Sequence, residues 1–145
     1  KASSQQIYLE LHKLAAADAV RAETVTQSDR PNRIVYQITD HGRAMLATWV
    51  DKPTEPPSVK EELLVKLFAL GDVDTDALLR ELERRRAYHV ERLSDYEAVM
   101  QKYYPEANSL SPRKLGRYLG LRMGIQSETN MIAWCDEALA LVKKA

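Results

Sequence analysis

The sequence predicts a mainly α-helical chain that carries one β-hairpin. It divides into a mixed N-terminal part, residues 1–51, and an all-helical part, residues 58–145, joined by a proline-rich linker, 52–57. Three observations predict this. Two segments of alternating residues flank a polar tip between residues 20 and 39. Apolar residues recur at steps of three and four in long runs after residue 58. Between the two patterns, "DKPTEPPS" holds three prolines, through which no helix continues.

The elements follow in order. "KASSQQIYLELHKLAAA" reads as helix from about Ser4 to Ala17, with Ile7, Leu11 and Leu14 on one stripe and Tyr8 beside it. A domain rarely opens abruptly on an amphipathic helix, so sequence upstream of Lys1 is expected. Val20–Thr26 alternates as a strand, Gln27–Asn32 is a tip, and Arg33–Thr39 is a second strand. In that strand Val35, Gln37 and Thr39 face one way. Ile34, Tyr36 and Ile38 face the other, and their bulk marks the expected covered side. Asp40 is the expected N-cap of a helix running to about Val50.

After the linker, Ser58 with Glu61 forms a capping-box pattern for a helix through "VKEELLVKLFAL" that stops at Gly71. Asp74 or Thr75 starts a long helix reaching about Tyr104, before Pro105. Its stripe is Leu78, Leu82, Arg85, His89, Leu93, Tyr96, Met100 and Tyr103, a coiled-coil spacing interrupted by Arg85 and His89. Ser111 and Pro112 open the last helix as N-cap and first position. That helix holds Leu115, Leu119, Arg122, Ile125, Ile132, Cys135 and Leu139 near one side.

Composition narrows the function only a little. Lys+Arg and Asp+Glu are both 21, so net charge argues neither for nor against nucleic acid, and only local distribution informs. One cysteine, Cys135, excludes an intrachain disulfide, and no apolar run is long enough for a bilayer span. No Ser/His/Asp or Cys/His set, glycine-rich phosphate loop or metal-ligand cluster points to an enzyme, a cofactor or a metal.

A helix, a two-stranded hairpin and another helix form the back half of a winged helix. In that fold the helix before the hairpin enters the major groove, and the hairpin lies along the backbone or minor groove. The N-terminal part therefore reads as a partial winged helix-turn-helix, followed by an all-helical dimerisation domain. Arg30 and Arg33 stand where a wing presents cations to phosphates, and Pro31 stiffens the tip between them. Ser3, Ser4, Gln5 and Gln6, at the start of the first helix, offer hydroxyls and amides that read base edges or hold phosphates. The same four residues also suit a plain helix cap. Tyr8 suits either core packing or a phosphate contact.

Three stretches carry a family resemblance. "QQIYLELHKLAAADAV" resembles the recognition helix of the PadR-like transcriptional regulators, with its Ile-Tyr pair. "DRPNRIVYQITDHGRAML" resembles their wing, Arg-Pro-x-Arg-x-x-Tyr-x-Ile/Leu-Thr followed by x-x-Gly. "MIAWCDEAL" is similar to the tryptophan-containing end of the longer members' C-terminal domain. The resemblance covers most of the chain. It implies a homodimeric, usually repressing, cytoplasmic protein that binds a palindromic double-stranded DNA operator. For some members it implies a small aromatic or drug-like effector. It places Ser3, Ser4, Gln5, Gln6, Tyr8, Lys13, Arg30, Asn32 and Arg33 toward DNA, and favours the phosphate contact for Tyr8. Two departures stand out. The two helices that precede the recognition helix in the family are absent from this sequence. Asp18 stands where many members have glycine, a position whose left-handed cap Asp tolerates better than most residues.

The dimer is expected through the helical part. Leu78, Leu82, Leu93, Tyr96, Met100, Ile125, Ile132, Trp134 and Leu139 are more apolar positions than one partner helix covers. Trp134 reads as core or interface, or more sharply as an effector-pocket wall. Cys135 reads as a buried small hydrophobe. His12, His41 and His89 read as helix-face residues. Arg84, Arg85 and Arg86 read as a solvated face paired with Glu81, Glu83 and Asp76, with one free to reach across a dimer. The competing readings are a MarR-like winged helix, in which both chain ends dimerise, and a helical dimerisation module without DNA binding.

Overall fold

The computed structural model describes residues 3–26, 32–58, 61–106 and 109–144. The element order is α1 (Ser4–Ala16), β1 (Val20–Val25), β2 (Arg33–Ile38), α2 (Asp40–Val50), α3 (Glu62–Leu67), α4 (Thr75–Tyr103) and α5 (Pro112–Val142). These form two compact units, residues 1–58 and 59–145.

In the first unit, β1 and β2 pair antiparallel, from Val20 opposite Ile38 to Val25 opposite Arg33. The left-handed backbone expected at Asp18 is present, with φ at 53°. It turns the chain from α1 into β1. Thr39, not Asp40, is the N-cap of α2. Its backbone is extended, and its Oγ1 accepts from the Gly42 amide at 2.9 Å. The same hydroxyl donates to the Asp18 carbonyl at 2.6 Å, a task a carboxylate cannot perform. Gly42 is required here, because a Cβ on it would lie 2.0 Å from the Ala19 carbonyl oxygen. Among the described residues of this unit, Ala19 and Gly42 are the buried ones. The face of β2 expected to be covered is only partly so. Tyr36 is half-buried, whereas Ile34 and Ile38 are exposed. Ile38 instead lines an apolar hollow with Leu14, Val20, Met45, Leu46 and Trp49.

In the second unit, α4 and α5 pack as an antiparallel pair, and α3 lies across one end. Leu63, Leu82, Leu139 and Val142 form the buried centre, with Leu67, Leu79, Trp134 and Ala138 against it. Leu78, Leu82 and Leu139 of the expected dimer seam are thus already buried in the single chain, while Leu93, Tyr96, Met100, Ile125, Ile132 and Trp134 are half-buried. Three boundaries differ from expectation. The third helix starts at Glu62 with Glu61 as N-cap, accepting from the Leu63 amide, so no capping box forms at Ser58. It ends at Leu67, and Gly71, at φ 99°, turns the chain toward α4. Tyr103, placed on the α4 seam by spacing, is exposed. So are Leu115, Leu119 and Arg122, because the α4 contact of α5 runs along its other side at that end. Asp74 caps α4 and Ser111 precedes Pro112 in α5, as read.

A polar cluster crosses the α4–α5 seam. His89 Nδ1 lies 2.5 Å from Glu128 Oε2, and Arg92 Nε donates to Glu128 Oε1 at 3.0 Å. Arg92 also donates to the hydroxyls of Tyr88 and Tyr96. His89 is therefore not a helix-face residue; it is buried, whereas His12 and His41 are exposed as expected. Burial alone would raise the pKa of Glu128. The hydrogen bonds from His89 and Arg92 outweigh burial and hold it below its ordinary 4.5. An ionised carboxylate only accepts, so His89 donates from Nδ1. Its Nε2 is buried with no partner among the described residues. The arginine run divides its work: Arg84 pairs with Glu81 as read, Arg85 with Glu61 at 2.8 Å, and Arg86 with Asp136 at 2.5 Å. Cys135 is fully buried, and burial pushes its thiol up.

Two outcomes follow. Gly42→Ala should cost the first unit about 3 kcal/mol through overpacking. Hydrogen exchange should then show lost protection over residues 4–50 and none over 62–142. Glu128→Gln should cost about 3 kcal/mol at pH 7, near the low end for breaking a buried pair, because Arg92 keeps access to water. Glu128 has a lowered folded pKa, so its contribution is present above 4.5 and fades as pH falls through the folded value. Urea unfolding of both proteins from pH 7 to pH 3 should show the gap closing on the acid side.

Candidate nucleic-acid interface

The first unit presents a polar, uncovered helix start. Ser3 caps α1 and accepts from the Gln6 amide at 3.2 Å. The Gln6 side chain returns the bond, its Oε1 accepting from the Ser3 amide at 2.9 Å. This capping box uses one end of Gln6 and leaves its amide NH2 free. Gln5 has no such duty. No acidic residue lies in the first turn, so the positive end of the helix dipole is not neutralised there. Tyr8 is 56% exposed, not packed into a core. Lys13, further along α1, pairs with Glu10 at 2.8 Å in an exposed contact that costs little to exchange for a phosphate.

The hairpin follows through the Asp18 turn and is fixed by the Thr39 and Gly42 contacts. Arg33 begins β2, opposite Val25, and is exposed, as is Asn32 before it. Arg30 and Pro31 lie outside the described residues. The structure thus brings Ser3, Ser4, Gln5, Gln6 and Tyr8 together on the first turns of one helix, and sets Asn32 and Arg33 at the far end of the hairpin. Among the described residues no group of three His, Cys, Asp or Glu side chains could hold a metal ion, and no helix is long and apolar enough to cross a membrane.

Sequence reasoning missed two structural supports, one in each unit. Thr39 was read only as a strand end, although the quoted Thr-x-x-Gly spacing is the signal for its double role. The His89–Glu128 pair left no signal, because its members lie 39 residues apart on different helices.

Comparison with known proteins agrees with both units. Residues 1–48 match the transcriptional regulator PadR-like family, and residues 59–143 match the virulence activator alpha C-terminal family. A probable transcriptional regulator of Mycobacterium tuberculosis is 36% identical over 99% of this chain and 82% of its own length. The chain belongs to the PadR-like family of transcriptional regulators. The negative transcriptional regulator PadR of Bacillus subtilis is 28% identical over 99% of this chain and 80% of its own. Its crystal structure in complex with operator DNA aligns with a TM-score of 0.81, at 25% identity, over 98% of this chain and 80% of that one. The Vibrio cholerae virulence activator AphA aligns with a TM-score of 0.80, at 28% identity, over 99% and 80%. The protein is therefore a winged-helix, DNA-binding transcriptional regulator and not an enzyme.

Proposed function

We propose that this protein is a cytoplasmic repressor that binds a palindromic operator as a homodimer. On this reading α1 enters the major groove and the hairpin tip lies on the backbone. The observation that carries it is the α1 N-terminus, where polar side chains stand exposed with no acid in the first turn. The name of the Bacillus relative, a negative regulator, supports repression. Its complex with operator DNA supports the mode of binding.

The roles divide by chemistry. Gln5 and the free amide of Gln6 read base edges. Ser3, Ser4, Tyr8, Lys13, Arg30, Asn32 and Arg33 hold phosphates, and so set register without reading sequence. Arg33→Ala in the full-length gene product should weaken operator and random DNA by similar factors. It should also lower the slope of log K against log salt by about 1. Gln5→Ala should cost roughly 1–3 kcal/mol on the operator and little on random DNA. Salt titrations on both DNAs check this, and an unchanged slope for Arg33→Ala would remove the wing from the interface.

A small aromatic effector fits the hollow of about 230 Å³ in the second unit, lined by Glu61, Leu63, Leu64, Met131 and Trp134. With Trp49→Phe, Trp134 is the chain's one tryptophan. Its fluorescence should then respond to a panel of phenolic acids in a saturable way. A panel without any saturable response would separate the hollow from effector binding.

A further inference from the structure

The cations of the second unit are unevenly placed. Residues 102–122 run from the last turn of α4 to the third turn of α5. They hold Lys102, Arg113, Lys114, Arg117 and Arg122 against a single acid, Glu106. The whole chain has a net charge of zero, so this end is basic because charge is segregated along the chain. All five cations are exposed, and none forms an ion pair among the described residues. Elsewhere in the unit Arg84, Arg85, Arg86 and Arg92 are each paired with a carboxylate. A solvated face interleaves the two signs, whereas cations gathered without partners raise the local positive potential.

Three of them stand on a projecting end. The rings of Tyr104 and Tyr118 pack with centroids 5.6 Å apart, so the end of α4 lies level with Tyr118 of α5. The part of α5 before Tyr118 therefore runs past the end of α4, by about 9 Å at 1.5 Å per residue. Arg113, Lys114 and Arg117 belong to that stretch. Arg113 and Arg117 are four residues apart, one above the other on the same side of the helix.

Neutral donors accompany the cations. Gln101, Tyr103, Ser109 and Ser111 are exposed at this end. Ser111 makes no capping hydrogen bond with its side chain, so its hydroxyl is uncommitted. Arginine, lysine, amide and hydroxyl groups are the side chains that hold phosphate oxygens, and an arginine fork can hold two oxygens of one phosphate. Each strand of duplex DNA offers a phosphate about every 3.4 Å of axis, so two arginines one turn apart can each meet one.

We propose that this basic end of the helical unit is a second DNA contact, additional to those of the first unit, and that it holds backbone phosphates without reading sequence. Such a contact adds affinity on any duplex and leaves the choice of operator to the first unit. Among polyanions DNA is favoured because the protein is a DNA-binding regulator. The inference stands on that shared property and not on the roles given to Gln5 or Arg33.

Salt titration of the full-length gene product on a duplex of random sequence tests it. Arg113→Ala with Arg117→Ala should weaken binding about tenfold and lower the slope of log K against log salt by about 2, the share of two phosphates. Arg80→Ala with Lys144→Ala removes the same charge from exposed positions at the other end of the unit, and should leave the slope unchanged. Arg113→Lys with Arg117→Lys keeps the charge and should restore most of the slope. All three pairs alter exposed side chains, so their helical circular dichroism should match the wild type. An unchanged slope for the alanine pair overturns the contact, as does a wild type that does not bind random duplex at low salt. A loss seen only together with dissociation of the protein, by sedimentation velocity, also overturns it. An alanine pair that keeps its DNA affinity and loses binding to phosphatidylglycerol vesicles assigns this end to a lipid surface instead. Failure of Arg33→Ala to change the slope removes the hairpin alone and leaves this contact standing.

Discussion

The first unit depends on how closely α2 approaches the turn after α1. Gly42 lies where any side chain would meet the Ala19 carbonyl, and Thr39 is bonded to both Asp18 and Ala19. Three separate elements are fixed by this one contact: the end of α1, the start of β1 and the start of α2. Among the described residues the hairpin is a two-stranded sheet with no further strand and few buried side chains, so its direction relative to α1 cannot come from a large core. It comes from hydrogen bonds and a close backbone approach at its base. A precise base suits the proposed role of Arg33, which needs a set distance from the start of α1.

The helical unit solves a different problem. Its α4–α5 seam is apolar at the α3 end and polar in the middle, where His89, Glu128 and Arg92 meet. Leucines slide against leucines with little loss, whereas a buried carboxylate with two specific donors has one good register. A shift of α4 by one turn would leave Glu128 buried and unpaired at a cost of several kcal/mol. The buried His89 adds to this selectivity, since its Nδ1 is committed to Glu128. Arg86–Asp136 and Arg85–Glu61 extend the same constraint toward α3.

The architecture was legible wherever local chemistry decides it. Alternation gave both strands within a residue, the linker prolines marked the boundary between units, and Asp18 fitted its left-handed turn. The errors fall where one residue's role depends on a distant element. Asp40 lost the cap to Thr39 because only a hydroxyl could also donate to the Asp18 carbonyl. The stripe of α5 divided because α4 and α3 cover different sides at different ends, a fact no single-helix periodicity contains. His89 looked like a break in an apolar seam, and its partner 39 residues on made it part of the seam. The polar start of α1 was legible as a surface, since capping residues and an absence of acid are both local features.

Cys135 sits fully enclosed in the α4–α5 pair and is the chain's one cysteine. A thiol reagent in solution reaches it only when the two helices part. Its reaction rate therefore reads the population of the opened hairpin, with no signal from any other site to subtract. Nature has in effect supplied a built-in gauge of helical-unit breathing. Any ligand that tightens the α4–α5 pair should slow this chemistry about tenfold for each 1.4 kcal/mol it adds.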